Sequence, residues 1–134
     1  MQTDSTTGVA RGLRVLVVVR DRRLRDAIDA ILHSDGIEVV HCASVAALGA
    51  SVMRRSREVV LLDWSKAEGL LTEAQRDDLR LLCRLVQVVL LVPDRWSRLL
   101  KAEDLGVARV LPKGCESDTL LATLASAAGP EGGG

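Results

Sequence analysis

The chain has 134 residues, 48% hydrophobic and 27% charged, which suits one domain able to bury a real core without disulfide or metal staples. Eighteen basic and eighteen acidic residues cancel to a formal net charge of zero, which excludes a general attraction to nucleic acid or an anionic membrane. Trp64 and Trp96 are the only aromatic residues, too few for base stacking on exposed rings.

Arginine outnumbers lysine fifteen to three, which reads as coding bias rather than as an RNA- or DNA-binding face. Cys42, Cys83 and Cys115 are odd in number, widely spaced and form no CxxC, a pattern that suits reduced thiols of a cytoplasmic protein. Residues 1–12 lack the apolar core of a signal peptide, and no apolar run reaches the roughly 18 residues that span a bilayer. The expectation is a cytoplasmic domain over residues 13–128, with a flexible polar leader (1–12) and a flexible glycine-rich tail (129–134).

In chain order, residues 15–19 form an unbroken aliphatic run, read as a buried strand. Leu24, Ile28, Ile31 and Leu32 then recur at helical spacing up to Asp35-Gly36. Ile37 to Cys42 is a less uniformly apolar second strand, expected near a sheet edge. Ser44 caps a second helix to about Arg55, with Val45, Leu48, Val52 and Met53 inward. Val59-Val60-Leu61-Leu62 is a third strand, buried on both faces and ending in Asp63. After a loop with Gly69, Thr72-Glu73-Ala74-Gln75 has capping-box spacing for a helix that buries Leu79, Leu82 and Cys83. Residues 88–92 are a fourth strand, stopped by Pro93. Asp94 is read as the cap of a fourth helix, carrying Trp96, Leu99 and Leu100 to near Gly106. Arg109-Val110-Leu111 is a short fifth strand, and a last helix from Ser117 buries Leu120, Leu121 and Leu124.

Alternating strands and helices predict a doubly wound α/β domain with a parallel sheet covered on both faces. In such sheets ligands bind at the strands' C-terminal edge, so Asp63 is the first candidate reactive residue.

The order and spacing resemble the receiver domain of bacterial response regulators over nearly the whole of residues 14–128. Arg14-Val15-Leu16-Val17-Val18 is similar to that family's first strand and Asp63-Trp64-Ser65 to its phosphoacceptor segment. Gly106-Val107-Ala108 followed by Val110-Leu111-Pro112-Lys113 is similar to the approach to its active-site lysine. The resemblance implies a flavodoxin-like (βα)5 fold with strand order 2-1-3-4-5. It further implies Asp63 as phosphoacceptor equivalent and Lys113 as the companion cation.

The remaining family positions depart from the pattern. Where acidic metal ligands belong the chain has Val19 and Arg20, and Asp21, one residue on, is read as the first helix's N-cap rather than a shifted ligand. Val92 replaces the Thr or Ser after strand four, Val110 the aromatic of strand five, and Gly114 the proline after the lysine. The Met-Pro that follows the family's phosphoacceptor is absent from Ser65-Lys66-Ala67-Glu68. Exchanging two carboxylates for a valine and an arginine removes about two negative charges from the metal position, so Mg²⁺ affinity is expected to be very weak. No cofactor is expected, and the chain reads as a degenerate, non-enzymatic pseudo-receiver. Arg20 could take the metal's place by pairing bidentately with Asp63 while Lys113 approaches from strand five; the alternative leaves Arg20 in solvent and Asp63 with Lys113 alone.

Other residues read more plainly. His33 and His41 are not spaced as a metal pair and have no obvious carboxylate orienter, and the cysteines read as core filler. The clusters Arg20-Arg22-Arg23-Arg25 and Arg54-Arg55-Arg57 read as solvated helix ends. There is no Ser/His/Asp or Cys/His arrangement, and the loops lack a phosphate-cradling glycine pattern for a small-molecule domain.

The resemblance also implies an interaction face on the fourth helix, fifth strand and fifth helix, here Trp96, Leu99, Lys101, Arg109, Cys115 and Thr119. Trp96 is either an exposed anchor for a partner or a core residue over strand four. With no output segment expected after the domain, its effect would pass through a signalling protein partner, a histidine kinase or a homodimer through that face. The alternative function is a response regulator receiver phosphorylated on Asp63 by a histidine kinase.

Overall fold

The computed structural model describes residues 12–52, 57–63 and 73–129. Five strands run through it: β1 (Arg14–Val18), β2 (Glu38–His41), β3 (Glu58–Asp63), β4 (Gln87–Val92) and β5 (Arg109–Pro112). Between them lie α1 (Arg22–Ser34), α2 (Val45–Ser51), α3 (Glu73–Cys83), α4 (Asp94–Ser97), α5 (Ala102–Leu105) and α6 (Ser117–Ala128). All pairings are parallel and the strand order is 2-1-3-4-5, the flavodoxin-like arrangement expected from the sequence. β2, read as the edge strand from its mixed polarity, is at an edge.

The aliphatic runs build two cores because successive strand side chains point to opposite faces. Val15, Val17, Val59, Leu61, Val89 and Leu91 meet Ile28 and Leu32 of α1 and Leu120 and Leu124 of α6 on one face. Leu16, Val18, Val60 and Val88 meet Leu48 of α2 and Leu79 and Leu82 of α3 on the other. Continuous apolar strands are what a sheet covered on both sides requires.

The helix starts are chemically specified. Asp21 accepts hydrogen bonds from the amides of Arg23 and Leu24, and Ser44 accepts one from Ala47. α2 ends at Ser51 rather than near Arg55; Met53, Arg54 and Arg55 lie outside the described residues, as do the leader through residue 11, Trp64, Ser65, Gly69, Thr72 and the tail from residue 130.

The fourth helix differs from the sequence reading. It is two short pieces, α4 and α5, separated by Lys101 in extended conformation, and Asp94 is α4's first residue with no side-chain cap bond. The reason is packing. Trp96, Leu100 and Leu105 all cover Leu90 and Val92. In one continuous helix Leu105, nine residues beyond Trp96, would face about 180° away from it; the break turns both onto β4. α5 stops at Gly106, whose φ of 78° is the left-handed conformation glycine adopts without strain.

A charged cluster closes the sheet's N-terminal edge. Arg14 is in register with Glu38 on one side and Glu58 on the other, and its guanidinium pairs with both carboxylates and donates to the Ser51 carbonyl. Arg57, buried and at φ 63°, donates to the Gly129 carbonyl at 2.6 Å, tying the start of β3 to the end of α6. Gly129, the first residue of the glycine-rich tail expected from the sequence, accepts this bond through its carbonyl.

Candidate functional site

In strand order 2-1-3-4-5 the side to which successive strands are added reverses between β1 and β3, and the C-terminal ends of these two parallel strands form the crevice where this class of sheet binds ligands. Asp63 ends β3 at that crevice. Lys113 follows β5 directly, and its amide donates to the Val92 carbonyl at 2.8 Å, extending the ladder one residue beyond the strand. This fixes the lysine's origin two strands from Asp63. Its ammonium reaches back to within 2.8 Å of Asp63 Oδ1.

The pair is unequal in solvent exposure. The Asp63 side chain is 1% exposed and that of Lys113 26%. The ammonium is close enough for an ion pair but is not aligned as a hydrogen bond, so neither Asp63 oxygen has a hydrogen-bond donor among the described residues. A buried carboxylate held by charge alone depends strongly on that charge.

Arg20 is exposed and makes no ion pair among the described residues, so the structure has the Asp63–Lys113 arrangement without Arg20. Val19 is buried at the end of β1. Among the described residues the donor set does not fit a divalent cation with oxygen ligands in near-octahedral array. The end of β1 offers a hydrocarbon and a guanidinium, and the Asp21 carboxylate is occupied in capping α1. Among the described residues no three His, Cys, Asp or Glu side chains converge as a ligand set. Asp21→Ala is expected to cost about 1 kcal/mol of stability through loss of the cap; urea unfolding should give the same loss with and without Mg²⁺.

Val92 and Val110 pack in the apolar layer under α4 and α5, with no hydroxyl or ring to face the site. A further polar residue at this edge of the sheet is Asp94. Rather than capping its own helix, its carboxylate accepts from the Gly114 amide at 3.2 Å. Sequence reading missed this contact because the partners lie twenty residues apart and neither belongs to a periodic pattern. The nearby Cys115 thiol is half-buried; burial pushes its pKa up, and the Asp94 charge adds to this against a lowering backbone hydrogen bond. Burial likewise raises the Cys83 thiol. These shifts disfavour the nucleophilic thiolate.

His41 corrects another expectation. Its Nε2 lies 2.8 Å from Asp29 Oδ1, so it has a carboxylate partner, supplied by α1. The signal was obscured because β2 and α1 meet only in the folded chain. His33 contacts the Asp29 carbonyl through Nδ1.

On the expected interaction face, Leu99 is 69% exposed, and Lys101, Arg109 and Thr119 are exposed. Trp96 is half-buried on Leu90 and Val92 with the Arg95 guanidinium 5.9 Å from its ring centroid, so it covers strand four and still presents an edge. Cys115 packs toward the opposite core, with Leu120 and Leu124.

No helix among the described residues is long and apolar enough to cross a membrane. No protein-family model matches the chain, and no curated protein matches it. Solved structures do. A response regulator receiver domain protein from Clostridium thermocellum is 22% identical with TM-score 0.66, covering 87% of this chain and 94% of that one. The receiver domain of a sensor histidine kinase from Pseudomonas aeruginosa, with a magnesium ion coordinated in its active-site cleft, is 21% identical with TM-score 0.67, covering 89% and 99%. A sensor protein from Polaromonas sp. JS666 is 20% identical with TM-score 0.67, covering 87% and 96%. The strand order, the crevice between β1 and β3 and these likenesses agree on one conclusion: the chain has the fold of response regulator receiver domains.

Proposed function

We propose that this chain is a receiver-like signalling module that works through protein–protein contacts in the cytoplasm, without Mg²⁺-dependent phosphorylation and without catalysis of its own. The observation that carries this reading is Asp63: buried, paired with Lys113, and flanked at the end of β1 by Val19 and Arg20. Phosphoryl transfer to a carboxylate needs concentrated positive charge and precise positioning of the incoming group. Here the lysine supplies one charge, and Val19 and Arg20, where acidic metal ligands belong, supply no carboxylate.

The working surface is the side formed by α4, α5, β5 and α6. Leu99 and the edge of Trp96 give apolar contact, and Arg95, Lys101 and Arg109 give charge around it. Aromatic and arginine side chains in such settings supply most of the energy of protein interfaces. A signalling protein partner fits this surface, as does a second copy of the chain; neither a membrane nor nucleic acid is invoked.

The second reading is phosphorylation of Asp63 by a histidine kinase, favoured by the retained aspartate–lysine pair. Incubation with acetyl phosphate and Mg²⁺, followed by intact-mass measurement, separates the two. The expected result is an unmodified chain; a phosphoryl adduct absent from Asp63→Asn would overturn the first reading and establish the second.

A further inference from the structure

Among the described residues the exposed large hydrophobic side chains are Leu81 at 60%, Leu85 at 42% and Leu99 at 69%. Leu99 belongs to the surface already discussed. Leu81 lies on α3, and Leu85 lies in the turn that closes it. One exposed leucine is ordinary on a soluble protein. Two spaced four residues apart form a stripe along one side of a helix. α3 buries Leu79 and Leu82 against the sheet. With about 100° between successive residues, Leu81 projects on the side of α3 opposite Leu79.

Charges flank the stripe in a fixed order. Asp77 and Asp78 stand about one turn before Leu81 and Arg84 about one turn after it, all three exposed. The Arg84 amide donates to the Leu81 carbonyl and the Leu85 amide to the Leu82 carbonyl, so both residues stay wound onto the helix end. Asp77 meets Arg80 at 3.5 Å, with both side chains more than half exposed (64% and 68%), a loose pair that leaves the carboxylate accessible.

This order is complementary to its own reverse. A second α3 laid antiparallel, with Leu81 against Leu81, brings Asp77 of each copy opposite Arg84 of the other and sets Leu85 beside the leucine pair. A parallel alignment would oppose aspartate to aspartate and arginine to arginine. A contact made by the same patch on both copies about a two-fold axis needs this reversal.

We propose that α3 is a self-association surface on which two copies of the chain pair antiparallel through Leu81 and Leu85, with two reciprocal Asp77–Arg84 ion pairs. The leucines supply the affinity. The charges set the direction, because exposed ion pairs add little while opposed like charges penalise the wrong alignment. The contact is one helix wide, so the dimer is weak and reversible.

Sedimentation equilibrium of the full chain between about 10 μM and about 1 mM tests the pairing. The expected result is a rise in apparent mass from 14.4 kDa toward twice that value. Leu81→Glu, on the solvent side of the helix, should keep the circular dichroism of the parent and weaken association at least tenfold. Leu99→Glu should leave association unchanged, which separates α3 from the Trp96 and Leu99 surface. Asp77→Arg and Arg84→Asp should each be monomeric alone, whereas an equimolar mixture should associate, since the antiparallel contact then opposes arginine to aspartate at both ends. A chain that stays monomeric at the highest concentration, association that survives Leu81→Glu, or a mixture that fails to associate would overturn the proposal. None of these outcomes bears on phosphorylation of Asp63, which the mass measurement decides independently.

Discussion

Arg14→Ala is expected to lower unfolding free energy by about 3 kcal/mol, with a melting temperature roughly 10 °C lower. The size follows from what is left behind. The Glu58 side chain is 1% exposed and the Arg14 side chain 9%, so solvent cannot replace the guanidinium. Breaking one side of a buried ion pair typically costs more than the pair contributes, because the guanidinium that faces the buried carboxylate is lost. Glu38, 54% exposed, rehydrates on losing Arg14 and adds little. The reciprocal prediction distinguishes charge from packing: Arg14→Leu combined with Glu58→Leu should recover most of the loss, because hydrophobic replacement of both partners is often neutral. Thermal and urea melts of the single and double variants measure this directly. A loss under about 1 kcal/mol for Arg14→Ala would mean that the cluster is solvated in solution.

Lys113→Met should be similarly costly, about 3 kcal/mol, and the asymmetry of the pair makes a sharper test than the magnitude. Asp63 has no hydrogen-bond donor among the described residues, and of those residues it is Lys113 whose ammonium offsets the burial of its charge. Lys113 is exposed enough for its ammonium to find water if the carboxylate disappears. Asp63→Leu is therefore expected to leave stability within about 1 kcal/mol of the parent, or to raise it, and Asp63→Leu with Lys113→Met should rescue the Lys113→Met defect. The order of the single variants is the measurement that matters. Equal losses from both sides would contradict the one-sided burial that defines this site.

Much of the architecture could be read from the chain because it depends on local patterns. Aliphatic runs at residues 15–19, 59–62 and 88–92 fix strands buried on both faces, and Asp21 and Ser44 stand where helices need acceptors. The placement of Asp63 and Lys113 could be read as well, since the ends of consecutive parallel strands share one edge. Other side-chain pairings across the fold were not legible. Asp94 has the right neighbours for a helix cap, and only the approach of the turn after β5 shows its carboxylate engaged with Gly114. Arg20 reads from the chain as a partner for Asp63, but it is exposed and makes no ion pair among the described residues. The break at Lys101 was hidden because Trp96, Leu99 and Leu100 look helical in sequence. The decision is made by Leu105 packing on the same residues of β4.

The bond from Arg57 to Gly129 has a practical meaning for how the molecule is held. It pins the end of α6 beside the first residue of β3, and Leu13 is buried just before β1 at the same border of the sheet. Asp63 is at the far end of β3, roughly 16 Å along the strand. Gly12 and Gly129 therefore lie at the pole opposite the carboxylate. A tether or fluorescent tag attached through a linker at either position keeps its mass behind the sheet, so a surface-immobilised chain should present the Asp63 cleft to the solution.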